Sequence, residues 1–159
     1  MPNTRNTSLD KVKDALQQQG FDCNVLELQT STRTAAEAAQ ALGCKTEQIV
    51  KSLVLKTKHS RRGILVMVSG ANRADLKKIT DVLSEPVRMA DADFVREKTG
   101  FAIGGVPPLA HLEKMDAYID DDLMQQDVIW AAAGTPHSMF KLTPKELVQM
   151  TSGEVINVK

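Results

Sequence analysis

The chain has 159 residues, 42% of them hydrophobic, 25% charged and only 4% aromatic, enough for one continuous core built mainly from aliphatic side chains. Lysine plus arginine balances aspartate plus glutamate at 20 each, which excludes the broad basic surface of a duplex-coating protein and leaves only local nucleic-acid contact, such as a single-stranded end. No apolar run approaches the ~20 residues of a membrane span, and Met1 to Asp10 lacks the apolar stretch of a secretory signal, so a cytoplasmic protein that meets no membrane is expected.

Residues 1–7 read as a polar tail and residues 8–159 as a single domain. Ser8 is expected to cap a helix whose apolar face is Leu9, Val12 and Leu16, with Gly20 as its stop. A short strand follows at Val25 to Leu28. Thr34-Ala-Ala-Glu37 is a capping box, in which the threonine hydroxyl and the glutamate carboxylate satisfy orphan amides of a helix running to Gly43.

Val50 to Lys56 and Ile64 to Ser69 are β-rich runs, read as a hairpin with a basic tip at Lys58, His59, Arg61 and Arg62. Asn72 is expected to open a helix with Leu76, Ile79, Val82 and Leu83 on one face, ended by Pro86. A short helix from about Asp91 buries Phe94 and Val95. Then Gly100 to Pro108 is too rich in glycine and proline to be regular throughout.

Strands are expected at Ala117 to Asp120, Val128 to Ala132 and Ser138 to Leu142. Thr143-Pro-Lys-Glu146 is a second capping box with proline in the first turn, and Val155 to Val158 reads as a last strand. Helices mixed with strands joined by short turns predict an α+β domain around a mixed, mostly antiparallel sheet with flanking helices.

Several chemistries lack their residues. There is no GxSxG elbow, phosphate-binding Walker loop, HExxH pair or dinucleotide fingerprint. Cys23 and Cys44 make no CxxC, and His59, His111 and His137 make no HxxxH. Neither a metal nor a cofactor is expected, and the cysteines read as small thiols in a reducing compartment.

Two features remain. Lys51 shares its strand face with Leu53 and Leu55, so it either snorkels to water or presents a cation to a pocket, where it could hold a phosphate or an oxyanion. The loop Gly104-Gly105-Val106-Pro107-Pro108 combines glycines, which allow positive φ or close approach, with prolines that stiffen the chain and lack an N–H. It is either a structural turn or a cradle whose donors are the amides of Gly104, Gly105 and Val106. Arg73, Lys77 and Lys78 form a charge run that is either a solvated face or a set of backbone contacts, and His137 lies in a turn before a strand.

Together the segments Thr34-Ala-Ala-Glu-Ala-Ala, Ile49-Val-Lys-Ser-Leu-Val-Leu55, Ser69-Gly-Ala-Asn72, Thr99 to Pro108 and Ala133-Gly-Thr-Pro136 resemble the YbaK-type, prolyl-tRNA-synthetase-associated editing domain from about Leu9 to Val158. The resemblance implies an aminoacyl-tRNA deacylase acting on mischarged tRNA for proline, with Lys51, Gly104 and Gly105 in the catalytic site. It implies substrate contacts from Val106, Pro107, Pro108, Asn72, His137, Arg73 and Lys77. The expected partners are the aminoacyl-tRNA acceptor end and prolyl-tRNA synthetase. The competing expectation is a module that binds a tRNA end or a synthetase without hydrolysis.

Overall fold

In a computed structural model, which describes residues 7–159, the two richest aliphatic runs become adjacent strands, β2 (Val50–Thr57) and β3 (Gly63–Ser69), paired antiparallel as the expected hairpin. On the other side of β3 lies β5 (Asp116–Asp120), parallel to it, and beyond that β8 (Glu154–Ile156), also parallel. The short β4 (Val87–Met89) pairs antiparallel with the far end of β2, giving the order β4-β2-β3-β5-β8. A second sheet, antiparallel, has the order β1 (Val25–Glu27), β7 (Ser138–Leu142), β6 (Ile129–Ala132). One parallel bridge, Ile49 to Trp130, links it to the start of β2.

Alternation along the central strand sorts two apolar layers. Leu65 and Met67 of β3 face the larger core, with α1 (Ser8–Gln18), α4 (Ala92–Thr99) and α5 (Pro144–Thr151). Ile64, Val66 and Val68 face the smaller one, with Ile79 of α3 (Leu76–Leu83) and Val158. Buried on both faces, β3 reads as a continuous apolar run, as a central strand should. A third cluster joins Ala38 and Ala39 of α2 (Ala35–Leu42) to Ile49 and Met139. The result is the α+β domain that the mixed pattern predicts, with antiparallel pairings outnumbering parallel ones.

Both threonines cap their helices, but only the second expected capping box closes reciprocally, because at α2 the Glu37 carboxylate is taken by the Thr34 hydroxyl and not by the Thr34 amide. The Thr34 hydroxyl accepts from the Glu37 amide at 3.1 Å and donates to its carboxylate at 3.1 Å, and Thr143 pairs reciprocally with Glu146. Two helix starts differ from expectation. Thr7, not Ser8, caps α1 through the Asp10 amide. Asp75, not Asn72, caps α3 through the Lys77 amide, because the Asn72 side chain is committed to aspartates elsewhere. β4 was not anticipated: three residues after Pro86 carry too little pattern to register. Of the expected polar tail, residues 1–6 lie outside the described residues. Among the described residues, no helix is long and apolar enough to cross a membrane.

Candidate functional site

β2 has β3 along one whole edge, but its outer edge is only partly covered. It meets β6 at Ile49 and β4 from Leu55 onward, with one further bond from the Ala90 amide to the Val54 carbonyl at 3.1 Å. Between these contacts no strand among the described residues pairs with the outer edge, and a cleft of about 160 Å³ opens there, floored by Ile49 to Leu53. The segment Thr32 to Ala35 forms one wall, Gly104 and Val106 another, and Ala132 and Met139 close it from the second sheet. Lys51 and the glycine loop, more than fifty positions apart, thus line the same cleft.

The lysine is held in place. Leu53 and Leu55 point into the α3-side core, and Lys51, on the same face, donates from Nζ to the Asn72 carbonyl at 2.5 Å. Asn72 is itself fixed: its side-chain amide donates to Asp120 Oδ2 and Asp122 Oδ2, each at 2.8 Å. Asp120 is fully buried and also accepts from the Ser69 and Asp122 amides. Burial lowers the Lys51 pKa below its usual value, the nearby Arg73 guanidinium lowers it further, and the Asp120 carboxylate pulls the other way. The lysine is therefore a cation made more acidic by its surroundings but kept within reach of an acceptor.

The loop resolves the two properties that its glycines left open. Gly104 has φ +93, the left-handed region that favours glycine. Gly105 has no positive φ; a Cβ there would stand 3.0 Å from the N, Cα and C of Thr135. Its role is close approach to the turn after β6, not an open face toward a ligand. Its amide is also occupied, donating to the Ala102 carbonyl at 3.1 Å. The expected three-amide cradle is thus reduced to Gly104 and Val106. His111 lies with Nε2 2.6 Å from the Pro107 carbonyl; since that oxygen can only accept, Nε2 carries the hydrogen. Burial pushes the His111 pKa down, keeping the ring neutral near pH 7.

The other expected contacts lie around the cleft without lining it. Pro107 and Pro108 are buried behind Val106. His137 is exposed, its carbonyl accepting from the Leu28 amide at 2.6 Å. Arg73 and Lys77 are exposed beside Asn72. Arg33 and Ser52, to which the sequence assigns no role, do line it, and the Ser52 hydroxyl is buried without a hydrogen-bond partner. Nothing in the pattern marks either, since one arginine in a polar loop and one serine in a strand are ordinary. The carboxylates of Asp120, Asp121 and Asp122 also come within 4.8 Å of one another, a grouping that His and Cys spacing rules do not detect. Asp122 there holds Lys159 at 2.7 Å. The thiols are not activated: burial, with Glu146 and Asp22, pushes Cys23 up to about 11, and burial raises Cys44.

A lysine-bearing strand with a partly open edge thus faces a glycine-proline loop across one small cleft. Residues 29–150 match the aminoacyl-tRNA editing domain family, and the chain belongs to it. It is 31% identical over 148 residues to the uncharacterized protein YwhH of Bacillus subtilis (strain 168), spanning 93% of this chain and 94% of that one. A solved candidate trans-editing enzyme for prolyl tRNA synthetase is 48% identical, with 96% of each chain covered and a TM-score of 0.91. A chain solved for computational grafting of epitope backbones onto scaffold proteins is 45% identical, with a TM-score of 0.92 over 97% of this chain and 98% of that one.

Proposed function

We propose that the chain is a trans-editing hydrolase that deacylates mischarged aminoacyl-tRNA. Its substrate in this reading is tRNA for proline carrying cysteine, alanine or another small amino acid, and its site of action is the cytoplasm. The observation that carries the reading is the meeting of Lys51 with the Gly104–Val106 loop in one cleft of an editing-domain fold. The connection to prolyl-tRNA synthetase is supported by the 48% identical candidate trans-editing enzyme. At about 160 Å³, the cleft is smaller than the ~300–1,000 Å³ usual for drug-sized ligands, which suits a small aminoacyl group.

An aminoacyl ester needs little activation, so placement and charge stabilisation can supply much of the acceleration. Water adds to the ester carbonyl, the bond to the terminal ribose oxygen breaks, and that oxygen leaves with a proton as the free tRNA hydroxyl. The oxyanion formed on the way is met by the amides of Gly104 and Val106, the loop amides not already bonded within it. Lys51 orients the ester from a position set by Asn72. No step requires a cofactor or a metal.

The test is ester loss from tRNA carrying Cys, Ala, Ser or Thr, with wild type beside Lys51→Ala. Wild type should cleave at least one of these, and the variant should be slower by about a hundredfold or more. If the wild-type protein cleaves none but binds tRNA or the synthetase, it is a binding module. Equal rates for both proteins would remove Lys51 from the mechanism.

A further inference from the structure

We propose that Arg33 is the phosphate-binding residue of the cleft mouth, taking the phosphodiester that joins the terminal nucleotide of a bound tRNA end. The inference rests on the editing reading for the identity of the nucleic acid, but its geometric basis is independent. Arg33 is exposed, lines the same cleft as Lys51 and Gly104, and forms no ion pair with any described residue.

Its backbone is held on both sides. Thr32, buried, donates from both its amide and its hydroxyl to the Pro136 carbonyl, at 2.6 and 2.8 Å. Thr34 is the N-cap of α2, its hydroxyl engaged with both the amide and the carboxylate of Glu37. The stem of Arg33 rests over the glycine loop, with its Cγ 3.4 Å from where a Cβ on Gly104 would stand. A guanidinium tethered at its base, supported along its stem and unpaired at its tip has little freedom to lose on meeting an anion. Arginine's planar fork suits a phosphate through two parallel N–H donors.

The placement also fits the cleft's size. A cleft of about 160 Å³ suits a small aminoacyl group, which leaves the terminal ribose and phosphate toward its opening. Arg73, Lys77 and Lys78, the cations that the sequence itself suggests, do not line that opening. A neutral chain that binds a polyanion needs a local cation there, and Arg33 supplies it.

Two measurements test the assignment. The first is binding of uncharged tRNA by wild type, Arg33→Ala and Arg33→Lys over a range of salt. Arg33→Ala should bind about tenfold more weakly and lose about 0.7 from the magnitude of the slope of log K against log salt, the share of one phosphate on a single strand. Arg33→Lys should recover part of the affinity while lacking the fork. The second compares hydrolysis of mischarged tRNA with that of the same amino acid on adenosine alone, which has no phosphate. Arg33→Ala should raise KM for the tRNA about tenfold at nearly unchanged kcat, yet cleave the aminoacyl-adenosine as wild type does. Unchanged tRNA affinity and slope, or equal losses on both substrates, would overturn the proposal. If wild type binds tRNA through Arg33 but hydrolyses nothing, the phosphate contact stands and the deacylase reading fails.

Discussion

At the scale of single residues, Lys51 was legible because a lysine interrupts an otherwise aliphatic strand face. Its partner was not, since no periodicity brings the Asn72 carbonyl, twenty-one positions away, to its ammonium. That environment has a pH consequence. The folded-state pKa of Lys51 lies below its ordinary value of 10.5, so between the two values the unfolded chain binds the proton and the folded chain releases it. The stability contribution of this lysine therefore improves as pH rises through the window, whereas an activity needing the ammonium declines there. The profile of kcat/KM, corrected for spontaneous ester loss, should fall on its alkaline side below 10.5. Lys51→Arg should be slow but lack that fall, since guanidinium stays charged; an identical alkaline limb would assign the titration to another group. Ser52 supports a second prediction at this scale. Its buried hydroxyl has no partner, so Ser52→Ala removes an unsatisfied group and should leave stability unchanged or raised by about 1 kcal/mol, as read by urea unfolding. A clear destabilisation would mean that the hydroxyl is bonded in solution.

At the scale of elements, the threonine helix caps and the β2–β3 hairpin were readable because their determinants are local. Threonine and glutamate three residues apart, or alternating β-branched residues, act within a few positions. The 104–108 loop was readable only as a pair of alternatives, since composition cannot tell positive φ from close approach. The structure assigns the first to Gly104 and the second to Gly105, and the two should fail differently. Gly104→Ala places a side chain at φ +93 and should cost about 1–2 kcal/mol, with the loop still seated. Gly105→Ala would put a Cβ 3.0 Å from the Thr135 backbone, forcing the loop away from its neighbour, and should reduce turnover more than Gly104→Ala relative to stability lost. Parallel denaturation and deacylation measurements on the two variants check this. Near-normal turnover in a folded Gly105→Ala protein would show that the seat against Thr135 has no bearing on the cleft. The parallel β3–β5 and β5–β8 pairings were not legible, because each links segments far apart in sequence through contacts without a local signal.

At the scale of the whole molecule, equal numbers of acidic and basic residues conceal an uneven arrangement. One group of cations, Lys56, Lys58, Arg61 and Arg88, surrounds a concavity by the β2–β3 turn. Another, Arg73, Lys77 and Lys78, lies around the entry to α3, where Arg73 is close enough to lower the Lys51 pKa. β2 separates the two: Lys51 is near its start and the hairpin turn follows its end, so at ~3.3 Å per residue the groups stand about 20 Å apart. In the proposed reading, a tRNA end whose terminal ester occupies the cleft meets the α3 group before the hairpin group, since Arg73 lies near Lys51. Replacing Arg73, Lys77 and Lys78 together with Ala should therefore weaken tRNA binding and flatten its salt dependence, each lost phosphate contact removing about 0.7–0.9 from the slope. Turnover at saturating substrate should change little, because none of the three lines the cleft. The matching replacement of Lys58, Arg61 and Arg88 should have a smaller effect on both affinity and slope. Titrations of one labelled tRNA with the two triple variants at several salt concentrations would decide the matter. A larger loss from the hairpin group would mean that the acceptor arm crosses the molecule along β2, toward the end of the sheet away from Asn72.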